Sequence, residues 1–252
     1  MKLLVSPVDE LEALEAVTGG ADIIDVKNPA EGSLGANFPW VIRRVREVVP
    51  REVEVSATVG DVPFKPGTVA LAALGAAVSG VDYVKVGLYG VSKFEDAVYL
   101  SMQVVRAVKE FSPRVKVVIA GYADAGRIGA IDPFLVPTVV EEAGADVAMV
   151  DTAVKDGLSL VDLWGEEGVL RFVSLAKDRG ISAALAGSLR REEIPLVARS
   201  GADIVGVRGA ACDGGDRIRG RITSLRVREL VAIIRETEGS LKGHLGLRPK
   251  SF

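Results

Sequence analysis

A phrase that recurs four times along the chain constrains the fold more than any other feature of the sequence. It reads GADIIDVKN from Gly20, GVDYVKVGL from Gly80, GADVAMVDT from Gly144 and GADIVGVRG from Gly201. The starts lie 60, 64 and 57 residues apart (80 − 20, 144 − 80 and 201 − 144). Each interval suits two βα units, because one strand–helix–strand unit takes about 30 residues. The chain therefore reads as a repeating β/α protein.

Four further apolar runs lie between the copies, and a helix-like segment follows each of them. The runs are KLLVSP, EVEVSATVG, KVVIAGYAD and SAALAGS. Eight strands without alternating polarity, each followed by a helix, predict a single (β/α)8 TIM barrel over residues 1–236. A doubly wound open sheet would alternate in the same way, but no GxGxxG follows the first strand. Residues 237–252 lack periodicity and are rich in Gly and Lys, which predicts a flexible C-terminal extension.

Composition excludes several classes of function. The net charge is −3 and there is no basic block, so a nucleic-acid partner has no electrostatic support. No apolar run is long enough to cross a bilayer and no signal peptide is recognisable, so we expect a cytoplasmic protein without a membrane partner. We also expect a homo-oligomer. Cys212 and His244 are the only residues of their kinds, which excludes a Ser-His-Asp triad and a histidine-ligated zinc. Lys, Asp, Glu, Ser and Tyr remain for acid–base chemistry.

Aligning the four copies on their first glycine predicts which side chains point into the barrel. Positions three, five and seven after that glycine share one face of a strand. The interior of such a barrel is filled in layers of four side chains from alternate strands. The expected layers toward the C-terminal mouth are Asp25, Lys85, Met149 and Gly206, and above them Lys27, Gly87, Asp151 and Arg208. The first Asp of each copy recurs at the start of the strand, which favours a structural role.

The charged residues of these layers indicate a catalytic site. One charge near a strand end is usually a surface or salt-bridge residue, but several on one inward face are costly to keep for stability alone. A lysine among apolar residues and other cations has a lowered pKa, and its neutral amine can form an imine with a carbonyl. Lys27 and Lys85 both fit, one as nucleophile and the other as base, with Asp25 and Asp151 orienting them. Lys155, in the loop after Asp151, can reach the same mouth.

Two loops that follow the seventh and eighth strands favour a phosphorylated substrate. LAGSLRREEIP and VRGAACDGG place Gly187, Ser188, Gly209 and Ala210 there, where such barrels commonly hold phosphate on backbone N–H groups. The reaction class is therefore Schiff-base chemistry on a small phosphorylated aldehyde or ketone. It needs neither a metal nor a cofactor.

Several longer motifs resemble the (5-formylfuran-3-yl)methyl phosphate synthase family, the 4-(hydroxymethyl)-2-furancarboxaldehyde-phosphate synthases of methanofuran biosynthesis. They are IIDVKNPAEGSLGANFPWVI, SATVGD, VKVGLYG, DTAVKDG and LAGSL, and the likeness covers residues 1–236. The resemblance implies that two molecules of glyceraldehyde 3-phosphate condense to a furan phosphate with loss of one phosphate and water. It also implies that Lys27 is the Schiff-base lysine and Lys85 the proton acceptor, supported by Asp25, Asp151 and Lys155.

A two-triose reaction adds one expectation about phosphate. One phosphate is retained and one leaves, so we expect a second anion site near Lys155 and Arg208. We also expect Asp25→Asn and Asp151→Asn to slow turnover more than they affect folding. Two alternatives stay open: another class I aldolase-type lyase on the same barrel, and a non-catalytic phosphosugar-binding or assembly protein.

Overall fold

The computed structural model describes residues 1–245 and shows eight parallel strands joined into one closed barrel, in the order of the chain. Helices follow the strands and surround them, which confirms the predicted TIM barrel. The strands are β1 Lys2–Val5, β2 Ile23–Val26, β3 Glu54–Thr58, β4 Tyr83–Gly87, β5 Lys116–Tyr122, β6 Val147–Asp151, β7 Ser182–Leu185 and β8 Ile204–Val207. The helices are α1 Glu10–Gly19, α2 Pro39–Val48, α3 Pro66–Val78, α4 Phe94–Phe111, α5 Val136–Ala143, α6 Leu160–Lys177, α7 Ile194–Arg199 and α8 Ser224–Leu245.

The four copies of the repeated phrase form the even-numbered strands. The first glycine and the first Asp of each copy both have a structural role. The first glycine of each copy follows a helix and itself has a positive φ: 94° at Gly20, 92° at Gly80, 68° at Gly144 and 82° at Gly201. Such a backbone suits glycine, which has no Cβ to clash in the left-handed region. These glycines let the chain leave the helix and enter the next strand.

The first Asp of each copy satisfies a backbone donor at the N-terminal end of the barrel. Each carboxylate accepts a hydrogen bond of 2.7–2.8 Å from a backbone N–H near the start of the preceding odd-numbered strand. The four pairs are Asp22 with Leu3, Asp82 with Val55, Asp146 with Val117, and Asp203 with Ala183. Without these acceptors the N–H groups at the barrel's N-terminal end would lack partners. The predicted structural role of these residues is confirmed.

Two separate apolar clusters hold the barrel together. The larger lies between the strands and the helices and includes Leu3, Ile24 and Val205. The smaller fills the barrel interior and includes Ile23, Tyr83 and Val147, the position-three residues of three repeats. Toward the C-terminal mouth this cluster also includes Met149 and Tyr122, which lie level with the charged residues at positions five and seven. The mouth therefore combines apolar and charged side chains.

The last helix is longer than the sequence predicts. The extension was expected from residue 237, but α8 continues to Leu245, and the amino terminus of Met1 lies 2.6 Å from the Glu238 carboxylate. The predicted boundary at 237 therefore falls inside a helix that packs on the barrel. Residues 246–252 of the predicted extension lie outside the described residues. Among the described helices, none has the length and apolar character that a membrane crossing requires.

Candidate active site

A cavity of about 500 Å³ opens at the C-terminal mouth of the barrel. Nine of the ten residues singled out from the sequence line it, and Asp25, the tenth, lies completely buried beneath them. The nine lining residues are Lys27, Lys85, Asp151, Lys155, Gly187, Ser188, Arg208, Gly209 and Ala210. The repeat alignment places five of these ten at the mouth, and the loop motifs place the other five.

The floor of the cavity is an ion pair between Lys85 and Asp25. Lys85 Nζ donates to Asp25 Oδ2 over 2.6 Å, and Ser6 Oγ donates to the same oxygen over 3.0 Å. Burial raises the pKa of Asp25, but the charges of Lys85 and Lys27 outweigh it and hold that pKa below its usual value. The second carboxylate oxygen, Oδ1, is buried and accepts no hydrogen bond from the described residues. Asp25 can therefore accept a further donor at Oδ1 while Oδ2 stays paired with Lys85.

This ion pair changes what we expect from Asp25→Asn. The substitution would leave the Lys85 ammonium buried without a counter-charge, which costs about 3–5 kcal/mol. The sequence-based expectation counted only the desolvation of the carboxylate and not its partner. We now expect a lower free energy of unfolding at pH 7, measured by urea denaturation. Adding Lys85→Met should restore most of the loss, because it removes the unpaired charge. A single variant as stable as the wild type would contradict this energetic account of the pair.

Lys27 lies one layer above this pair, and its amino group has few polar partners among the described residues. Its Nζ donates one hydrogen bond, to the Ser33 carbonyl over 3.3 Å, and the residue is only 7% exposed. Burial lowers the pKa of Lys27 to about 7, with Lys85 and Lys155 acting in the same direction and Asp151 and Asp25 opposing it. Near neutral pH a large fraction of this amine is therefore uncharged. An uncharged amine is the form that attacks a carbonyl.

The lowered pKa predicts how the reactivity of Lys27 changes with pH. The amine is protonated and unreactive below about 7 and neutral above it. Labelling by an amine-specific acylating reagent should therefore rise with pH, reach half its maximum near pH 7 and level off. Peptide mass spectrometry can follow Lys27 and the exposed Lys93 in the same samples, with Lys93 as the internal reference. A midpoint near 10 for Lys27 would show that burial does not perturb it.

Asp151 and Lys155 form a second ion pair at the rim of the cavity. Asp151 Oδ1 accepts from Lys155 Nζ and from the Thr152 N–H, each over 2.7 Å. Burial raises the pKa of Asp151, but Lys155 and Lys27 more than compensate and lower it to about 2. Lys155 Nζ also donates to Thr152 Oγ1 over 2.9 Å. Asp151 thus stays a carboxylate on which all three cavity lysines act.

The loops after β7 and β8 present backbone N–H groups to the cavity. Gly187 has a φ of 115° and Ser188 a φ of 49°, unusual for a residue with a side chain. Among the described residues, the N–H groups of Gly187, Ser188, Gly209 and Ala210 donate to no protein acceptor. Strained backbone and free donors at a cavity are features of an anion-binding site.

Arg208 lines the cavity, but two nitrogens of its guanidinium donate to protein acceptors. Its Nη1 donates to the Glu12 carboxylate over 2.8 Å and to the Ser6 carbonyl over 2.7 Å, and its Nε donates to the Arg217 carbonyl over 2.6 Å. Glu12 lies on α1 and is itself only 1% exposed. A buried carboxylate pairs with this cation, and the part expected of Arg208 in a second anion site stays a prediction.

The β2–α2 loop contributes residues that the sequence argument missed. Ser33 accepts from Lys27 through its carbonyl and donates through Oγ to the Thr152 carbonyl over 2.7 Å. Leu34 N–H donates to Asp61, whose other oxygen accepts from the buried Tyr122 hydroxyl. These contacts tie the loop to the ends of β3, β5 and β6. Only the motif match offered a signal here, because GSLG and VGD belong to the quoted motifs but lie outside the repeat.

The sequence as a whole matches a known family. The model described as 4-HFC-P synthase matches residues 3–231. The (5-formylfuran-3-yl)methyl phosphate synthase of Methanocaldococcus jannaschii is 60% identical over 230 residues, which cover 91% of this chain and 98% of that protein. The protein of the same name from Methanopyrus kandleri is 64% identical over 229 residues, covering 91% of this chain and 97% of that one.

Solved structures show a more distant likeness. The 3-hexulose-6-phosphate synthase from Salmonella typhimurium has a TM-score of 0.67 at 21% identity and covers 94% of this chain and all of that one, 100%. KGPDC from Streptococcus mutans has a TM-score of 0.63 at 13% identity, covering 94% of this chain and 98% of that one. At these identities the likeness extends to the barrel fold.

Proposed function

Because the chain belongs to the 4-HFC-P synthase family, we propose that it condenses two molecules of glyceraldehyde 3-phosphate to (5-formylfuran-3-yl)methyl phosphate through an imine on Lys27. Its relatives are named synthases, so the chain is an enzyme. The reaction balances when two trioses lose one phosphate and two water molecules, without any net oxidation. We assign it to the lyases and to methanofuran biosynthesis.

The observation that carries this proposal is the burial of the Lys27 amine, which lowers its pKa. The amine lies in the cavity with a pKa of about 7, and among the described residues it donates a single hydrogen bond, to a carbonyl. A neutral amine adds to the aldehyde carbon, and loss of water gives the imine. Protonation of the imine nitrogen makes the neighbouring C–H acidic, which is what both carbon–carbon bond formation and phosphate loss require.

Lys85 and Asp25 are suited to the proton transfer. Asp25 would take the ammonium proton of Lys85 over the 2.6 Å contact, and the Lys85 amine so freed would take the proton from the carbon next to the imine. The electron pair released then either attacks the aldehyde of the second triose or expels phosphate from the adjacent carbon. Asp151 faces Lys27 and would stabilise the positive iminium, while Lys155 would donate a proton to the departing oxygen.

One substrate phosphate would bind the loops after β7 and β8. The unpaired N–H groups of Gly187, Ser188, Gly209 and Ala210 supply donors, and the small residues let an oxyanion approach the main chain. A Cβ at Gly209 would lie 2.9 Å from the Gly215 carbonyl, so this position has no room for a larger side chain without a shift of the β8–α8 loop.

Product identification tests the proposed reaction. Pure protein is incubated with glyceraldehyde 3-phosphate alone, and the product is examined by ultraviolet absorption, mass spectrometry and phosphate release. We expect a conjugated furan aldehyde phosphate, with one phosphate released for each product molecule. A simple aldol sugar phosphate would instead favour the other class I aldolase-type lyase, and no conversion would favour a non-catalytic binding protein.

A further inference from the structure

Five arginines line the cavity, and four of them form ion pairs with carboxylates, two of them sharing Glu229. The pairs are Arg190 with Asp162 (2.7 Å), Arg191 with Glu229 (3.0 Å), Arg208 with Glu12 (2.8 Å) and Arg226 with Glu229 (3.2 Å). Within the part of the chain that the structure describes, Arg217 alone among the five has no carboxylate oxygen within 4.0 Å. An arginine at a cavity wall without a counter-charge is available to a bound anion.

The position of Arg217 is well defined despite this missing counter-charge. It lies in the β8–α8 loop, and its Nη2 donates to the Gly32 carbonyl over 3.1 Å. Its own carbonyl accepts the 2.6 Å hydrogen bond from Arg208 Nε. Arg208, held by Glu12, therefore acts as a support for the Arg217 backbone. A guanidinium carries five N–H donors, and within the described residues Arg217 uses one of them, on Nη2, so the others are available to a ligand.

The surroundings of Arg217 connect it to the reacting groups. Partial burial lowers the pKa of Arg217, while Asp151 acts in the opposite direction, which places the guanidinium within electrostatic reach of that carboxylate. Lys155, the residue expected to assist phosphate departure, is paired with the same Asp151. Gly32, which Arg217 contacts, directly precedes Ser33, the hydrogen-bond partner of Lys27.

We propose that Arg217 supplies the cation of a second phosphate subsite, in the place that the sequence assigned to Arg208. The ligand is a phosphate monoester of a triose, or the phosphate released from it. This inference rests on the proposed function, since a second phosphate enters only if two phosphorylated trioses react. A planar guanidinium with free donors binds a phosphate through two parallel hydrogen bonds. The first phosphate remains on the N–H groups of the β7 and β8 loops.

The test compares Arg217→Gln with Arg219→Gln. Arg219 lies two positions away in the same loop, is exposed and does not line the cavity, so its substitution is a matched loss of one charge. Titration calorimetry with inorganic phosphate measures the number of bound anions directly, without turnover. We expect two phosphates for each wild-type and Arg219→Gln chain and one for Arg217→Gln. Two in Arg217→Gln, or fewer than two in the wild type, would overturn the proposal.

A second readout uses the substrate. For Arg217→Gln, kcat/KM with glyceraldehyde 3-phosphate should fall by roughly 10- to 100-fold, the effect of one lost charge-assisted interaction. Imine trapping at Lys27 by unphosphorylated glyceraldehyde should stay unchanged, because that aldehyde makes no phosphate contact. An equal loss with both aldehydes would show a general disturbance of the site and contradict the subsite.

The two proposals fail in distinguishable ways. If wild-type protein yields no furan phosphate, the proposed reaction is wrong whatever Arg217 does. If Arg217→Gln still loses one of two inorganic phosphates in that case, the subsite stands as an anion site for a different phosphorylated ligand. If furan phosphate forms and Arg217→Gln binds and reacts like Arg219→Gln, the reaction stands and the subsite is overturned.

Discussion

Lys27→Arg should lower kcat to below about one thousandth of the wild-type value, a loss of ~4 kcal/mol of transition-state stabilisation. A guanidinium stays protonated at any accessible pH, so it cannot attack the aldehyde carbon and no imine forms. The arginine places a permanent positive charge beside Asp151, where the wild-type amine is charged only in its protonated fraction. Release of phosphate from glyceraldehyde 3-phosphate, followed under initial-rate conditions, measures the loss.

The control for this variant is Lys93→Arg, the same substitution at an exposed lysine outside the cavity. It should keep the wild-type rate, and both variants should unfold at temperatures close to that of the wild type. Lys27→Arg that retains more than about a tenth of the activity would exclude a covalent role for Lys27, because no other group on arginine can replace the imine.

Lys85→Gln should separate imine formation from the later proton transfer. Removing a general base typically costs roughly 100- to 10,000-fold in rate, so we expect kcat to fall by this factor. Gln keeps a hydrogen-bond donor beside Asp25 but cannot take a proton from carbon. Lys27 should still form an imine, so borohydride should trap the triose on Lys27 in this variant although little product appears.

Two outcomes of the Lys85→Gln experiment would contradict the proposed role of Lys85 as the base. A variant that turns over at a near wild-type rate would show that Lys85 is part of the structural pair with Asp25 and not the base. Loss of both turnover and trapping would mean that Lys85 acts before the imine forms, for instance by keeping Lys27 neutral. Thermal unfolding of the variant shows whether the barrel itself is intact.

The repeated phrase explains why so much of the barrel and its mouth could be predicted from the sequence. Strand periodicity forces residues five and seven after each glycine to the same face, and barrel closure brings those faces together. This reasoning placed Asp25 next to Lys85, which the structure shows at 2.6 Å. It also placed Lys27 and Asp151 in one layer, where each perturbs the pKa of the other.

The partners of these side chains could not be predicted in the same way, because they come from segments outside the repeat. Glu12 pairs with Arg208 from helix α1, 196 residues away along the chain. Ser33 meets Lys27 only because the β2–α2 loop folds back over the mouth. Arg217 depends on the path of the β8–α8 loop. No periodicity determines where such loops lie, so their contacts appear only in the folded structure.

Trapping of the covalent intermediate tests the central claim most directly. Wild-type protein is mixed with glyceraldehyde 3-phosphate, reduced with borohydride, digested and examined by peptide mass spectrometry. The account predicts a stable adduct on the peptide that contains Lys27, absent when substrate or borohydride is omitted and absent in Lys27→Arg. An adduct on Lys85 or Lys155 instead, or furan formation with no trappable adduct, would contradict it.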